Sequence, residues 1–149
     1  PNQIIDYTSA REHTFFDGLN NPLNHIDFTY PYEDLLRSQL ITSSKNLQIK
    51  FIENGCYASV NGPRLETAAE INRYENDGAT IVGMTGMPEA GLARELGISY
   101  AAICPVANHA AGRGLSKEGL NLETINKNSK EMMVSVVTLI TEVIKKIGH

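Results

Sequence analysis

Three polar residues punctuate the apolar stretches of this 149-residue chain: Glu66, Thr85 and Asn108. Glu66 ends the turn-rich run Asn61-Gly62-Pro63-Arg64-Leu65, Thr85 follows the apolar run Ala79–Met84, and Asn108 follows Tyr100–Ala107. Ligands of open α/β sheets gather outside strand ends, so a carboxylate, a hydroxyl and a carboxamide at such places suit the binding and polarising of a small polar ligand. Covalent catalysis finds no motif. The chain has no Gly-x-Ser-x-Gly elbow, Walker-type phosphate loop, Gly-x-Gly-x-x-Gly, Cys-x-x-Cys or His-Glu-x-x-His. Each of the three residues also has a plainer reading. Glu66 suits the first turn of a helix, Thr85 could cap a helix beginning at Pro88, and Asn108 could be a turn residue. Met84 and Leu65 read as core. His13, His25 and His109 read as surface or interface residues, because no second metal ligand is correctly spaced.

The elements that must position these residues alternate between strands and helices. Gln3–Tyr7 is a strand candidate, and His25–Thr29 alternates like a short edge strand whose aromatic continuation, Tyr30 and Tyr32, suits an interface. Glu33–Ser44 carries Leu35, Leu36, Leu40 and Ile41 as a helical stripe. Leu47–Ile52 and Cys56–Val60, joined through Asn54-Gly55, predict an antiparallel hairpin. Thr67 with Glu70 three positions on is a capping-box pattern, opening a helix that runs to Asp77 and stops at Gly78. Ala79–Met84, a helix from Pro88 to Gly97 and a strand over Ile98–Ala107 predict a parallel βαβ unit. Leu122–Ile147 is the closing helix, with Met133, Val136, Val137, Ile140, Ile144 and Ile147 at helical spacing.

Composition narrows the class. The chain is 42% hydrophobic and 20% charged, with formal charge −4, which suits one ordinary soluble domain. Lys and Arg are scattered and the pI is near 5.5, so nucleic acid is not an expected partner. Cys56 and Cys104 have no second cysteine nearby, so neither a disulfide framework nor a zinc cluster is suggested, and no metal is expected. No signal-peptide pattern is present and no apolar run approaches the ~20 residues of a membrane span. The expectation is a cytoplasmic protein with no membrane association. The chain starts at Pro1 and goes directly into Gln3-Ile4-Ile5-Asp6-Tyr7, which leads us to expect a piece of a longer polypeptide.

Three motifs carry a family resemblance. Asn61-Gly62-Pro63-Arg64-Leu65-Glu66-Thr67-Ala68-Ala69-Glu70, Val82-Gly83-Met84-Thr85-Gly86-Met87-Pro88-Glu89-Ala90 and the loop Asn108-x-Ala-Ala-Gly resemble the trimeric purine nucleoside and methylthioadenosine phosphorylases. The opening Pro1-x-Gln-x-Ile-Asp-x-Thr, with Phe15-Phe16-Asp17-Gly18, is similar to the same family's middle segment. Within the family, Leu65-Glu66 with Asn108 most resemble the bacterial S-methyl-5'-thioinosine phosphorylases. The resemblance implies a three-layer α/β fold, a mixed sheet flanked by helices, of which residues 1–149 form the C-terminal portion of one domain without its N-terminal strands.

The implied reaction is attack of phosphate on the ribose anomeric carbon as the purine departs. Charge moves from sugar to base, so a donor at the imidazole edge of the base stabilises the transition state more than the ground state. The resemblance makes Asn108 that catalytic donor, at N7 and O6, and Glu66 the acceptor of the N1 proton of a 6-oxopurine. It sets Leu65 beside the base, Tyr57 and Met84 at the ribose and Thr85 at phosphate, and it makes His25 a residue lent to the neighbour in a homotrimer. The resemblance implies a His near the start of the last helix in enzymes of ordinary nucleosides; the corresponding Leu120-Asn121-Leu122-Glu123 has none, so the resemblance implies that Leu120 and Leu122 suit a methylthio group at the 5' end. Phosphate is a co-substrate and no cofactor is expected. The family's phosphate loop and Arg-His phosphate pair precede Pro1, so the isolated chain is expected to be a poor catalyst. Inosine, guanosine or methylthioadenosine phosphorolysis, hydrolysis of a nucleoside, and a non-catalytic purine-binding remnant remain as alternatives.

Overall fold

The structure, a computed structural model, describes residues 1–147. Its strands β1 (Gln3–Asp6), β2 (Cys56–Ser59) and β3 (Ile81–Gly83) form one sheet in the order β1-β2-β3. Both pairings are parallel, with Gln3 opposite Cys56 and Ser59 opposite Gly83. Parallel neighbours require a crossover between them. The chain supplies α1 (Asp34–Asn46) between β1 and β2, and α2 (Ala68–Asn76) between β2 and β3. After β3 come α3 (Glu89–Glu95), a 3-10 turn at Gly114–Ser116 and α4 (Leu122–Ile147). The α/β class stands, and the sheet among the described residues is wholly parallel rather than mixed.

The expected antiparallel hairpin is overturned. Leu47–Ile52 is not a strand because its first residues close α1: Gln48 turns left-handed at φ 55°, its amide donates to Lys45 O (3.1 Å), and the Ile49 amide donates to Ser44 O (3.0 Å). This is a Schellman stop made without glycine. Asn54-Gly55 is likewise no hairpin turn, since Gly55 O accepts the Asn2 and Gln3 amides at the start of β1. The expected edge strand at His25–Thr29 is a loop, because Asp27 takes both the amide and the hydroxyl of Thr29 (2.9 and 2.7 Å). Backbone engaged by a neighbouring side chain is lost to a ladder. Ile98–Ala107 also forms no ladder among the described residues. Its Ile98 amide returns to Ala93 O, and its Tyr100 carbonyl accepts from Glu33 N.

The chain separates into two units, each assembled from interleaved segments. The first comprises Pro1–Arg37, Asn54–Pro63 and Ala79–Ala102, and so holds the sheet and α3. Tyr32, Tyr57, Ala58, Val60 and Ala90 are its buried apolar residues, and the Tyr32 and Tyr100 rings stack at 6.1 Å. The second comprises Ser38–Glu53, Arg64–Gly78 and Ile103–His149, and buries Ile71, Leu139 and Val143. On α4 the buried pair is Leu139 and Val143, not the stripe through Val137, Ile140 and Ile144, which stays exposed. The helix is apolar over more than one stripe, so periodicity alone does not decide which faces inward. On α1 the buried residues are Ser43 and Ser44 rather than its leucines, and Lys146 Nζ donates to Ser43 Oγ (3.1 Å).

The capping box forms as expected. Thr67 Oγ1 accepts the Glu70 amide (3.1 Å), Glu70 Oε2 accepts the Thr67 amide (2.7 Å), and α2 ends at Asp77 before Gly78 with φ 99°. Arg64 adds a two-pronged pair to Glu70 at 2.9 and 2.8 Å. These contacts, the Arg64 hydrogen bond first and the Thr67 amide second, hold the Glu70 carboxyl down at about 2 from an ordinary 4.5. A depressed carboxyl contributes stability that is complete above its unfolded pKa and lost as pH falls through the folded one. Glu70→Gln keeps the box, because Gln can also close it, but removes the charge. The melting-temperature difference between wild type and Glu70→Gln is therefore expected to be largest above pH 4.5 and to shrink toward pH 2. A difference independent of pH would show that the Arg64 pair contributes nothing.

A second prediction concerns the sheet. A Cβ added at Gly83 would run into the hydroxyl end of the buried Tyr57 ring. Gly83→Ala is expected to cost about 1–3 kcal/mol in denaturant unfolding. Its effect should be strongly non-additive with Tyr57→Leu, which removes the obstructing ring.

Candidate functional site

The exits of β2 and β3 meet in the first unit. Parallel strands leave the sheet side by side there, and such carboxyl ends are where polar loops collect. Thr85 lies one residue past Met84 and is exposed. Its amide donates to Tyr57 Oη (3.3 Å), its hydroxyl lies 3.4 Å from the same oxygen, and its carbonyl accepts from Ser59 Oγ (3.4 Å). Either hydroxyl can donate across that 3.4 Å contact, and in one arrangement the phenol gives its hydrogen to Thr85 Oγ1. The Thr85 hydroxyl hydrogen is then left to donate outward, as an oxyanion ligand would need. Met84 is half-buried, and a Cβ on Gly62 would strike its sulfur. Gly62 has φ 63°, so the turn after β2 needs glycine both for its backbone and for its approach to Met84.

In the second unit, Arg64 donates to both Glu70 oxygens and to Leu65 O (3.0 Å). Its pKa is raised first by the hydrogen bond to Glu70, then by the Glu70 charge, with Glu66 adding less. Because Glu70 takes the guanidinium, the half-buried Glu66 is left out of the hydrogen bonds and ion pairs among the described residues. It stands ready to accept from a ligand N–H. Leu65 beside it is 38% exposed.

Asn108 is exposed on the wall of a pocket of about 330 Å³, lined also by His109, Leu115, Asn121, Thr124 and Asn128. Among the described residues none that lines the pocket is a carboxylate. The Asn108 carboxamide donates to His109 O (2.7 Å), which engages one of its two N–H groups and leaves the other to offer. Asn128 Nδ2 holds Ala107 O (2.9 Å), pinning the backbone that precedes Asn108. Asn121 Oδ1 accepts the Thr124 amide (2.9 Å) and so caps α4. In the following loop Arg113 reaches Asn72 Oδ1 (2.8 Å) and Glu75 Oε2 (2.5 Å). A Cβ on Gly114 would lie 2.5 Å from the His109 ring.

The sequence-predicted residues thus fall into two sets. Tyr57, Met84 and Thr85 come together in the first unit, where His25 is also placed, exposed on the loop before α1. Leu65, Glu66 and Asn108 belong to the second unit, as do Leu120, half-buried, and Leu122, exposed. The residues that line the Asn108 pocket at the start of α4 are Gly119, Asn121, Thr124 and Ile125, not the two leucines flanking Asn121. Sequence reasoning passed over Asn121, Asn128 and Arg11. An Asn just before a helical period is a cap signal that could have found Asn121. Nothing local marks the other two. Among the described residues no group of His, Cys, Asp or Glu could hold a metal ion, and no helix is long and apolar enough to cross a membrane.

Comparison with known proteins agrees across the chain. The Phosphorylase superfamily profile matches residues 1–145. A probable S-methyl-5'-thioinosine phosphorylase of Pseudomonas syringae is 52% identical over 113 residues, 76% of this chain and 46% of that protein. Its counterpart in Thermodesulfovibrio yellowstonii is 46% identical over 148 residues, covering 99% of this chain and 54% of its own. A methylthioadenosine phosphorylase of Schistosoma mansoni, solved in complex with adenine, superposes with TM-score 0.91 at 27% identity, covering 99% of this chain and 57% of that one. The chain spans about half the length of the curated relatives it matches. A sheet, a capping box and strand-end loops in the expected order, together with a profile that runs nearly end to end, establish that the chain belongs to the Phosphorylase superfamily.

Proposed function

We propose that this chain is the part of a phosphorolytic enzyme that handles purine and ribose, and that the enzyme cleaves a 6-oxopurine nucleoside, S-methyl-5'-thioinosine first among them. A phosphate oxygen bonds to the anomeric carbon as the bond from that carbon to the purine nitrogen breaks, and the electron pair leaves with the purine. The products are hypoxanthine and methylthioribose 1-phosphate. The observation that carries this reading is Asn108, a neutral donor at a pocket whose lining residues include no carboxylate. Neutral donors suit a base that gains electron density as it leaves. Glu66, left over by the Arg64–Glu70 pair, suits the N1 proton that a 6-oxopurine carries and adenine lacks.

Further support comes from the names of relatives. Those at 46–52% identity are called probable S-methyl-5'-thioinosine phosphorylases, and one from Pyrococcus furiosus, 41% identical, is called a 6-oxopurine nucleoside phosphorylase. The S. mansoni protein in complex with adenine favours methylthioadenosine as a second reading. In the proposed enzyme Thr85 donates to phosphate, Leu65 flanks the base, Tyr57 and Met84 border the ribose, and Leu120 and Leu122 favour an apolar 5' group. His25 serves a neighbouring subunit of a homotrimer. The enzyme works in the cytoplasm with phosphate as co-substrate and no cofactor.

The test is release of hypoxanthine from S-methyl-5'-thioinosine by the protein as isolated from its cell, with and without phosphate. Phosphate-dependent release is expected. Release without phosphate would mean a hydrolase, and purine binding without turnover would mean a non-catalytic remnant. In the active protein Asn108→Ala is expected to lower kcat by roughly 10²–10³-fold. Glu66→Gln should lower the preference for methylthioinosine over methylthioadenosine by about 30-fold or more, the equivalent of ~2 kcal/mol. An unchanged preference would remove Glu66 from base recognition.

A further inference from the structure

Arg11 follows β1 by five residues and is half-buried. Its guanidinium faces four backbone carbonyls. Nη2 donates to Met84 O (3.0 Å), Val60 O (3.3 Å) and Asn61 O (3.3 Å), and Nη1 donates to Met87 O. Two of these carbonyls belong to the chain leaving β2, and two bracket Thr85 on the chain leaving β3. No carboxylate pairs with Arg11 among the described residues. Carbonyl dipoles solvate the cation without cancelling its charge.

We infer that Arg11 is a positioning residue that sets the Thr85 loop to receive an oxyanion, an inference resting on the reading of Thr85 as a phosphate ligand. Among the described residues the loop is otherwise held by long contacts to Tyr57 and Ser59 and by its own backbone, the Met87 amide donating to Thr85 O (3.2 Å) and the Ala90 amide to Gly86 O (3.1 Å), and Gly86 sits at φ 98°. Arg11 turns the Met84 and Met87 carbonyls inward and fixes the residues between them. With those carbonyls spoken for, the loop offers a ligand its hydroxyl donor rather than a carbonyl oxygen that would repel an anion. Only a planar fork of several N–H groups reaches acceptors on two separate loops; an ammonium puts its three donors on one atom. The uncancelled charge next to Thr85 also favours an anion there.

The experiment uses Arg11→Lys and Arg11→Met in the enzyme assayed above, with the phosphate and nucleoside KM measured separately and amide hydrogen exchange followed in each variant. Lys keeps the charge and loses the fork, and Met keeps the apolar stem. Phosphate KM is expected to rise on the order of ten- to a hundredfold, since misplacement by about 1 Å can cost that much. Nucleoside KM should stay within about twofold, and exchange should quicken at residues 84–87 and 60–62 but not in β2. A general structural role would instead lower the melting temperature and leave the phosphate KM unchanged, and that result overturns the inference. Equal rises in both KM values, or unchanged exchange at 84–87, overturn it as well. If Arg11→Met does not fold, Arg11→Lys decides. A wild type with no phosphate dependence defeats the function reading and the inference together, and is recognised without any variant.

Discussion

The first unit depends on β2 having a parallel neighbour on each side. Tyr57, Ala58 and Ser59 of β2 and Val60 just after it are buried, so each of these side chains must either be small or find a partner within the protein. Ala58 is small. Ser59 has a fully buried hydroxyl, which costs free energy unless it is bonded, and its partner is the Thr85 carbonyl. The ring of Tyr57 finds room because Gly83, on β3, has no side chain, and the phenol is thereby delivered to Thr85. The burial that holds β2 in place also builds the loop that follows β3. Stability and site share the same atoms here, and a substitution in the middle of the sheet acts on both.

Two arginines show how differently one side chain can be used. Arg64 meets Glu70 two-pronged at the surface, in the geometry that suits guanidinium to carboxylate, and that pairing keeps Glu66 unclaimed. Among the described residues Arg11 meets no carboxylate and is spread over the carbonyls of two loops. The first ion pair frees a neighbouring acid for a ligand. Arg11, with carbonyls as its partners, remains a cation uncompensated near the strand ends. In the proposed reaction these are complementary needs: an acceptor for a base proton and a place where a dianion is welcome.

The carboxamides of the second unit form a graded support. Asn121 caps α4 and Asn128 ties the same helix to the carbonyl before Asn108, so the helix start and the pocket wall are positioned together. Arg113 fastens the following loop to α2 through Asn72 and Glu75. Neutral groups predominate around Asn108, which limits the electrostatic penalty on any ligand that carries negative charge there.

What the chain revealed before any coordinates were those features whose causes lie within a few residues. The Thr67–Glu70 box, the stop at Gly78, the span of α4 and the polar residues after apolar runs were all legible, because a cap or a helical period is settled by neighbours in sequence. The motifs around Glu66, Thr85 and Asn108 also sufficed for the family. What only the tertiary structure decided was pairing and facing. Leu47–Ile52 alternates like a strand, yet Gln48 spends its backbone on closing α1. Cys56–Ser59 looks like half of a hairpin, yet lies between two parallel partners drawn from residues 3–6 and 81–83. On α4 two stripes satisfy the same period, and contact alone selects Leu139 and Val143. Arg11 finds its acceptors as many as 76 residues away. Strand ladders and buried fans of hydrogen bonds join groups distant along the chain, so their energies leave no trace in local pattern.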